Sequence, residues 1–65
     1  MNKKKIAKTL IELRGDKSRE EVAAALKISV SALSMYETAA RVPRDEIKIA
    51  IANYYSRSVS EIFFS

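Results

Sequence analysis

Cysteine and histidine are both absent from the 65 residues, and glycine and proline occur once each. Without cysteine there is no disulfide and no thiolate zinc site to stabilise a small fold, so side-chain packing must do it alone. The absence of both His and Cys also removes the commonest nucleophiles, general bases and metal ligands, and the chain has no glycine-rich phosphate loop. The adjacent acids Glu20-Glu21 and Asp45-Glu46 stand at predicted helix starts, where carboxylates have a structural use. An enzyme is therefore not expected, nor a cofactor, a metal or a small-molecule substrate. One glycine and one proline leave little turn material for an all-β fold, which points to helices. No run approaches the roughly 18 apolar residues that a membrane span requires, so no membrane partner is expected.

What is present is a 48% hydrophobic composition and a basic balance of 12 Lys and Arg against 8 acids. A chain of this length reads as one domain, 1–65, with a modest buried fraction. Met1-Asn2-Lys3-Lys4-Lys5 resembles the start of an export signal, but Lys8 and Glu12 interrupt the apolar segment that would have to follow. A cytoplasmic location is the expectation. The net charge of +4 favours polyanionic partners, nucleic acid before an acidic membrane surface, but an excess of that size is ordinary. The placement of the charges has to decide.

Apolar periodicity and capping residues divide the chain into five helices. Ile6, Leu10 and Leu13, with Ala7 and Ile11 beside them, form one helical face that Gly15 ends. Ser18-Arg19-Glu20-Glu21 is a capping-box pattern that starts a second, two-turn helix through Val22, Ala23 and Leu26. Ser29 caps a third helix over about 30–38, with Leu33 and Tyr36 on one face and Ser31, Ala32, Ser34 and Met35 pointing elsewhere. Val42-Pro43 breaks the chain, and Pro43 is expected to open a fourth helix to Tyr55 with the stripe Ile47, Ala50, Ile51, Tyr54. Ser58-Val59-Ser60-Glu61 is a second capping box, beginning a last turn through Ile62 and Phe63. The expected fold is all-α, a compact five-helix bundle.

Residues 19–38 are then two short helices joined by a tight turn, a geometry that can hold the second helix out from the body. Ala23 supplies the small side chain needed where they cross, and Val22, Leu26, Ile28, Leu33 and Tyr36 fill the wedge. An ordinary helical bundle also places small residues at crossings, so periodicity alone separates the two readings only slightly. The ordered stretch Ser18-Arg19-Glu20-Glu21-Val22-Ala23, Leu26 to Glu37 and Arg41-Val42-Pro43, with the closing Val59-Ser60-Glu61-Ile62-Phe63, resembles the XRE/Cro/CI family of phage and bacterial repressors.

That resemblance implies a lambda-repressor-like domain with a helix-turn-helix at about 19–38. It would bind double-stranded operator DNA, commonly as a homodimer on a palindromic site, and would be a phage- or bacterially encoded repressor. It places base contacts at Val30, Ser31, Ala32 and Met35. Of these, Ser31 can exchange hydrogen bonds, whereas the other three could read only apolar surface such as a thymine methyl. Direct readout is therefore expected to be modest, with DNA shape contributing. Phosphate contacts are implied at Arg19, where the family often has glutamine, and at Thr38, Arg41 and Arg44; hydroxyls of Ser18, Ser29 and Ser34 could join them. Lys27 sits in the turn, and Lys3, Lys4 and Lys5 read as a solvated tail. Leu13-Arg14 and Tyr36-Glu37 correspond to the family's structural ion pair, Arg14 with Glu37.

The chain departs from the family where Lys27 and Thr38-Ala39 replace turn glycines that adopt positive φ, at a cost on the order of 1 kcal/mol each. The link Gly15-Asp16-Lys17 is also shorter than the family's. Ile49 falls off the helix-four stripe, and Phe63 and Phe64 cannot both face one small core, so Ile49, Tyr55, Phe63 and Phe64 are the expected dimer surface. The competing function on the same residues is a protein-interaction module, an antitoxin or regulatory subunit of the same fold.

Overall fold

The alternation of capping residues and apolar stripes folds as five helices in the computed structural model, which describes residues 2–64 and contains no strand among them. They are α1 (Lys3–Arg14), α2 (Arg19–Leu26), α3 (Val30–Glu37), α4 (Asp45–Tyr55) and α5 (Val59–Phe63). Side-chain caps set four of the five starts. Asn2 Oδ1 accepts from the Lys5 N–H, Ser18 Oγ from Glu21, Ser29 Oγ from Ala32 and Ser58 Oγ from Glu61, all at 3.0–3.1 Å. Only Ser58 has the full reciprocal box, because the Glu61 carboxylate also accepts the Ser58 N–H at 3.0 Å. Those bonds hold the Glu61 carboxyl below its usual range. At Ser18 the serine half of the expected box forms alone.

The helices close around one core. Ile6 and Leu10 of α1, Val22, Ala23 and Leu26 of α2, Leu33 and Tyr36 of α3, Ile51 and Ala52 of α4, and Ile62 and Phe63 of α5 are all buried together. Within it α1 packs on α3 and α5, α2 on α3 and α4, and α4 on α5. None of these helices is long enough to be stable by itself in water, so each depends on the apolar face that its neighbours cover.

Four details of the sequence reading change. Helix four begins at Asp45, not at Pro43: Pro43 is packed inside and Arg44 is extended (φ −72°, ψ 168°) as the N-cap residue. The buried line of α4 runs through Lys48, Ile51 and Ala52, with Ile47, Ala50 and Tyr54 only half-buried at its edge. Lys48 lies under the terminal aromatics, its ammonium 5.9 Å from the Phe63 ring centre and 5.2 Å from that of Phe64, with Asp45 Oδ1 at 3.5 Å. The long apolar stem accounts for this, since it packs like a hydrocarbon while the head reaches the surface. Ile11 is exposed on the outer side of α1, and Phe63 belongs to the core and so leaves the expected dimer surface; Phe64 is the phenylalanine turned outward.

Three non-glycine residues sit in the left-handed region: Lys27 (φ 58°), Ala39 (φ 64°) and Ser56 (φ 56°). Two of these are the positions where the sequence lacks the expected turn glycines. Gly15, at φ 57° and ψ −127°, occupies a region closed to side-chain-bearing residues, which explains the one glycine. Ala39→Gly and Lys27→Gly should each stabilise the fold by about 0.5 kcal/mol, because relief of the left-handed penalty exceeds the entropy of the glycine. Thermal unfolding should show each as a rise of about 2–4 °C; an unchanged or lower midpoint would contradict the strain.

Tyr55 is half-buried against Tyr54, with ring centres 5.0 Å apart in an edge arrangement. Its hydroxyl is sealed from water and has no hydrogen-bond partner among the described residues. Burial, with the nearby Glu37 charge adding to it, raises its pKa to about 12. The fold thus favours the neutral phenol: this contribution is complete below the ordinary phenol value near 10 and disappears as pH rises from there towards about 12. Tyr55→Phe should raise stability by about 1 kcal/mol by removing the orphaned hydroxyl. Urea titrations at pH 7 and above pH 10 should show a smaller alkaline loss in the variant than in the parent.

Candidate nucleic-acid interface

The turn between α2 and α3 is closed by backbone geometry. Lys27 in the left-handed conformation lets its own N–H reach Ala24 O at 3.2 Å and the Ile28 N–H reach Ala23 O at 3.0 Å, which satisfies the last carbonyls of α2. The chain then turns outward into Ser29, whose oxygen caps α3. Ala23 at the crossing is fully covered, Val22, Leu26, Leu33 and Tyr36 are buried in the wedge, and Ile28 closes its edge half-buried.

With Leu33 and Tyr36 pointing inward, the other side of α3 is left to solvent. Val30 is 41% exposed, Ser31 is exposed, and Ala32 and Met35 are half-buried. Eight residues make a rod about 12 Å long, close to the width of the DNA major groove.

Cations bracket this face. Lys27, Arg41 and Arg44 line a cleft beside α3 whose floor is Ile28, Ala32, Tyr36, Val42 and Ile47. Lys27 comes from the α2–α3 turn and the arginines from the loop after α3, so only the folded chain brings the three together. The loop holds its shape because Met35 O accepts the N–H groups of both Ala40 (3.0 Å) and Arg41 (3.2 Å). Arg44 also lies 3.6 Å from Glu46, but both side chains are 78% exposed and such a pair holds little. Thr38 differs from expectation: its hydroxyl donates to Ser34 O at 2.8 Å and its N–H to the same carbonyl at 3.0 Å. Both of its donors are committed within the helix end, so it has none to offer an anion. Ser18, Ser29 and Ser34 use their oxygens as acceptors, from Glu21 N, Ala32 N and Arg19 Nη1 respectively. Each hydroxyl hydrogen remains available.

Behind the exposed face, the Glu37 carboxylate has no solvent exposure and is held by two arginines. Arg14 Nε lies 2.9 Å from Oε2, and its Nη1 donates to Lys17 O at 2.8 Å. Arg19 Nε lies 2.9 Å from Oε1. The hydrogen bond to Glu37, set against some desolvation, raises the Arg14 pKa still further, so this cation does not titrate. The ends of α1 and α3 and the start of α2 therefore meet at one carboxylate. Arg19 was read from the sequence as a surface cation alone; its bond to Glu37, 18 residues away, has no local signal. Its side chain is still 36% exposed, leaving part of the guanidinium fork facing out.

Removing either arginine should be tolerated, because the other still neutralises Glu37. Arg14→Ala combined with Arg19→Ala leaves a bare buried carboxylate and should cost about 3–5 kcal/mol, more than the two single losses added. Denaturant unfolding of the four proteins in this cycle measures the coupling, and strict additivity would mean that the carboxylate is not shared.

A model of the helix-turn-helix family matches residues 8–62, which takes in everything from the first turns of α1 to Ile62 of α5. Neither a curated protein nor a solved structure matches the chain. The match spans the whole constellation just described: the tight α2–α3 turn, the outward face of α3 and the basic loop that follows. The chain belongs to the XRE/Cro/CI-type helix-turn-helix family of DNA-binding transcription regulators.

Proposed function

We propose that residues 1–65 act as a single sequence-specific DNA-binding domain, a phage- or prophage-type repressor working in the cytoplasm, with α3 seated in the major groove of its operator. The observation that carries this reading is the solvent-facing side of α3 flanked by Arg19, which bonds to Ser34 and Glu37 on one side, and by the Lys27, Arg41 and Arg44 cleft, which takes in Ala32 and Tyr36 on the other. Val30, Ser31, Ala32 and Met35 then meet base edges. Arg19, Arg41 and Arg44 meet phosphates on either side, and Ser18, Ser29 and Ser34 add the hydroxyl hydrogens that capping leaves unused. Lys27 joins the phosphate contacts because it shares the cleft with the two arginines. Occupancy of a promoter by so small a body represses by exclusion.

A palindromic operator requires a second copy. Ile49 (54% exposed) and Phe64 (60%) are the large apolar side chains left open at the α4–α5 end, around a groove shared with Asp45, Lys48 and Val59. This patch supports a homodimer with half-sites one helical turn apart, about 34 Å. The same patch favours the second reading, a protein-interaction module in which the basic face is secondary.

Salt dependence separates the two. Fluorescence anisotropy on fragments selected from genomic DNA should give an affinity that falls steeply between 50 and 200 mM salt. Arg41→Ala or Arg44→Ala should each lower the salt slope by about one and weaken all sequences alike. Flat, salt-insensitive binding would favour the interaction module.

A further inference from the structure

The proposal that α3 enters the groove leaves open what it can read there, and the hydrogen-bonding groups of the helix limit the answer. Bidentate recognition of guanine needs Arg or Lys, and that of adenine needs Asn or Gln; α3 from Val30 to Glu37 contains none of them. A carboxylate could accept from cytosine N4, but the helix's one acid, Glu37, is sealed between Arg14 and Arg19. Thr38 at its end has both donors committed to Ser34 O. Ser29, ahead of the helix, and Ser34, turned towards Arg19, have their oxygens occupied as acceptors, and the one hydrogen each keeps is assigned to phosphate. Ser31 alone carries an exposed hydroxyl on this face.

What remains is hydrocarbon and sulfur: the exposed Val30 methyls, the Ala32 methyl and the Met35 thioether. The one apolar feature that a base pair offers in the major groove is the methyl on C5 of a pyrimidine.

We infer that this protein selects its DNA by C5-methyl groups: its preferred duplex carries thymines in register with Val30 and Met35, and 5-methylcytosine can take a thymine's place at those positions. Adenine and guanine are chosen indirectly, as partners of the methylated pyrimidine. The inference rests on α3 being the groove-entering element, and it adds a sensitivity to one chemical group that a polar reading helix would lack.

The test replaces thymines one at a time by deoxyuridine in a duplex recovered by selection, which removes the methyl and keeps the pairing and the O4 acceptor. Affinity should drop about fourfold for each methyl buried against α3, the equivalent of losing one buried methyl group, and should not change for thymines elsewhere in the duplex. Cytosine at the same positions should bind weakly and 5-methylcytosine should recover most of the loss. Val30→Ser removes both γ-methyls and leaves a small exposed polar side chain; it should bring the thymine-to-uracil ratio at its position close to one. Salt-dependent binding that is indifferent to every deoxyuridine would overturn the inference and leave the DNA reading standing. A thymine preference that survives in both Val30→Ser and Met35→Ala would overturn it too, by assigning the preference to duplex shape. Failure to bind any duplex would remove both readings together.

Discussion

A carboxylate shut away from water cannot remain charged by itself, and the arrangement of the first three helices follows from how Glu37 is answered. Arg14 approaches from the end of α1 and Arg19 from the start of α2, each with Nε at 2.9 Å. Three helix ends are thereby referred to a single point, and the direction of α3 is set relative to both of its neighbours. The net stabilisation from such a buried pair is small, because desolvation offsets much of the attraction. Its effect is on geometry: an α3 rotated or shifted by a fraction of a turn would leave Glu37 uncompensated. Arg14 also ties in the short link after α1 through Lys17 O, which lets four residues, Gly15 to Ser18, connect α1 to α2 without a longer loop.

The hydrophobic core supplies the affinity between helices that this network then orients. Its members come from all five helices, and the last of them, Ile62 and Phe63, close it from the C-terminal end. With so few residues the margin is thin, which gives weight to the strain at Lys27, Ala39 and Ser56 and to the orphaned hydroxyl of Tyr55. Each is a local cost that packing elsewhere has to offset. Lys48 shows the opposite economy: a cation placed in the buried line of α4 fits because its stem packs and its head lies over two aromatic rings and near a carboxylate.

The interface combines two chemistries that come from different parts of the chain. The cations lie off α3, in the turn before it, in the loop after it and at the head of α2, where a duplex backbone would pass. The helix itself keeps an outer face that is apolar apart from the exposed hydroxyl of Ser31. On the proposed reading, attraction to DNA and discrimination between sequences would rest on different residues and respond to different variables, ionic strength for one and base methyl groups for the other.

Reading the sequence was enough for those features whose causes are local. Serine three residues before a backbone N–H makes a cap, a residue before proline leaves the helical region, and apolar side chains at helical spacing choose a face; hence the five helices, the tight turn before Ser29 and the outward Val30 and Ser31. The positive φ at Lys27 and Ala39 was legible for the same reason, since a tight turn demands it of whatever residue is there. Tertiary structure alone decided which groups meet across the chain. Pro43 became core and not the first turn of α4, Phe63 went inward while Phe64 stayed out, and Lys48 displaced Ile47 from the buried line. Arg19 found Glu37, and Lys27 found Arg41 and Arg44. These outcomes depend on how neighbouring helices compete to cover each surface and each charge, and that competition has no signature in the residues on either side.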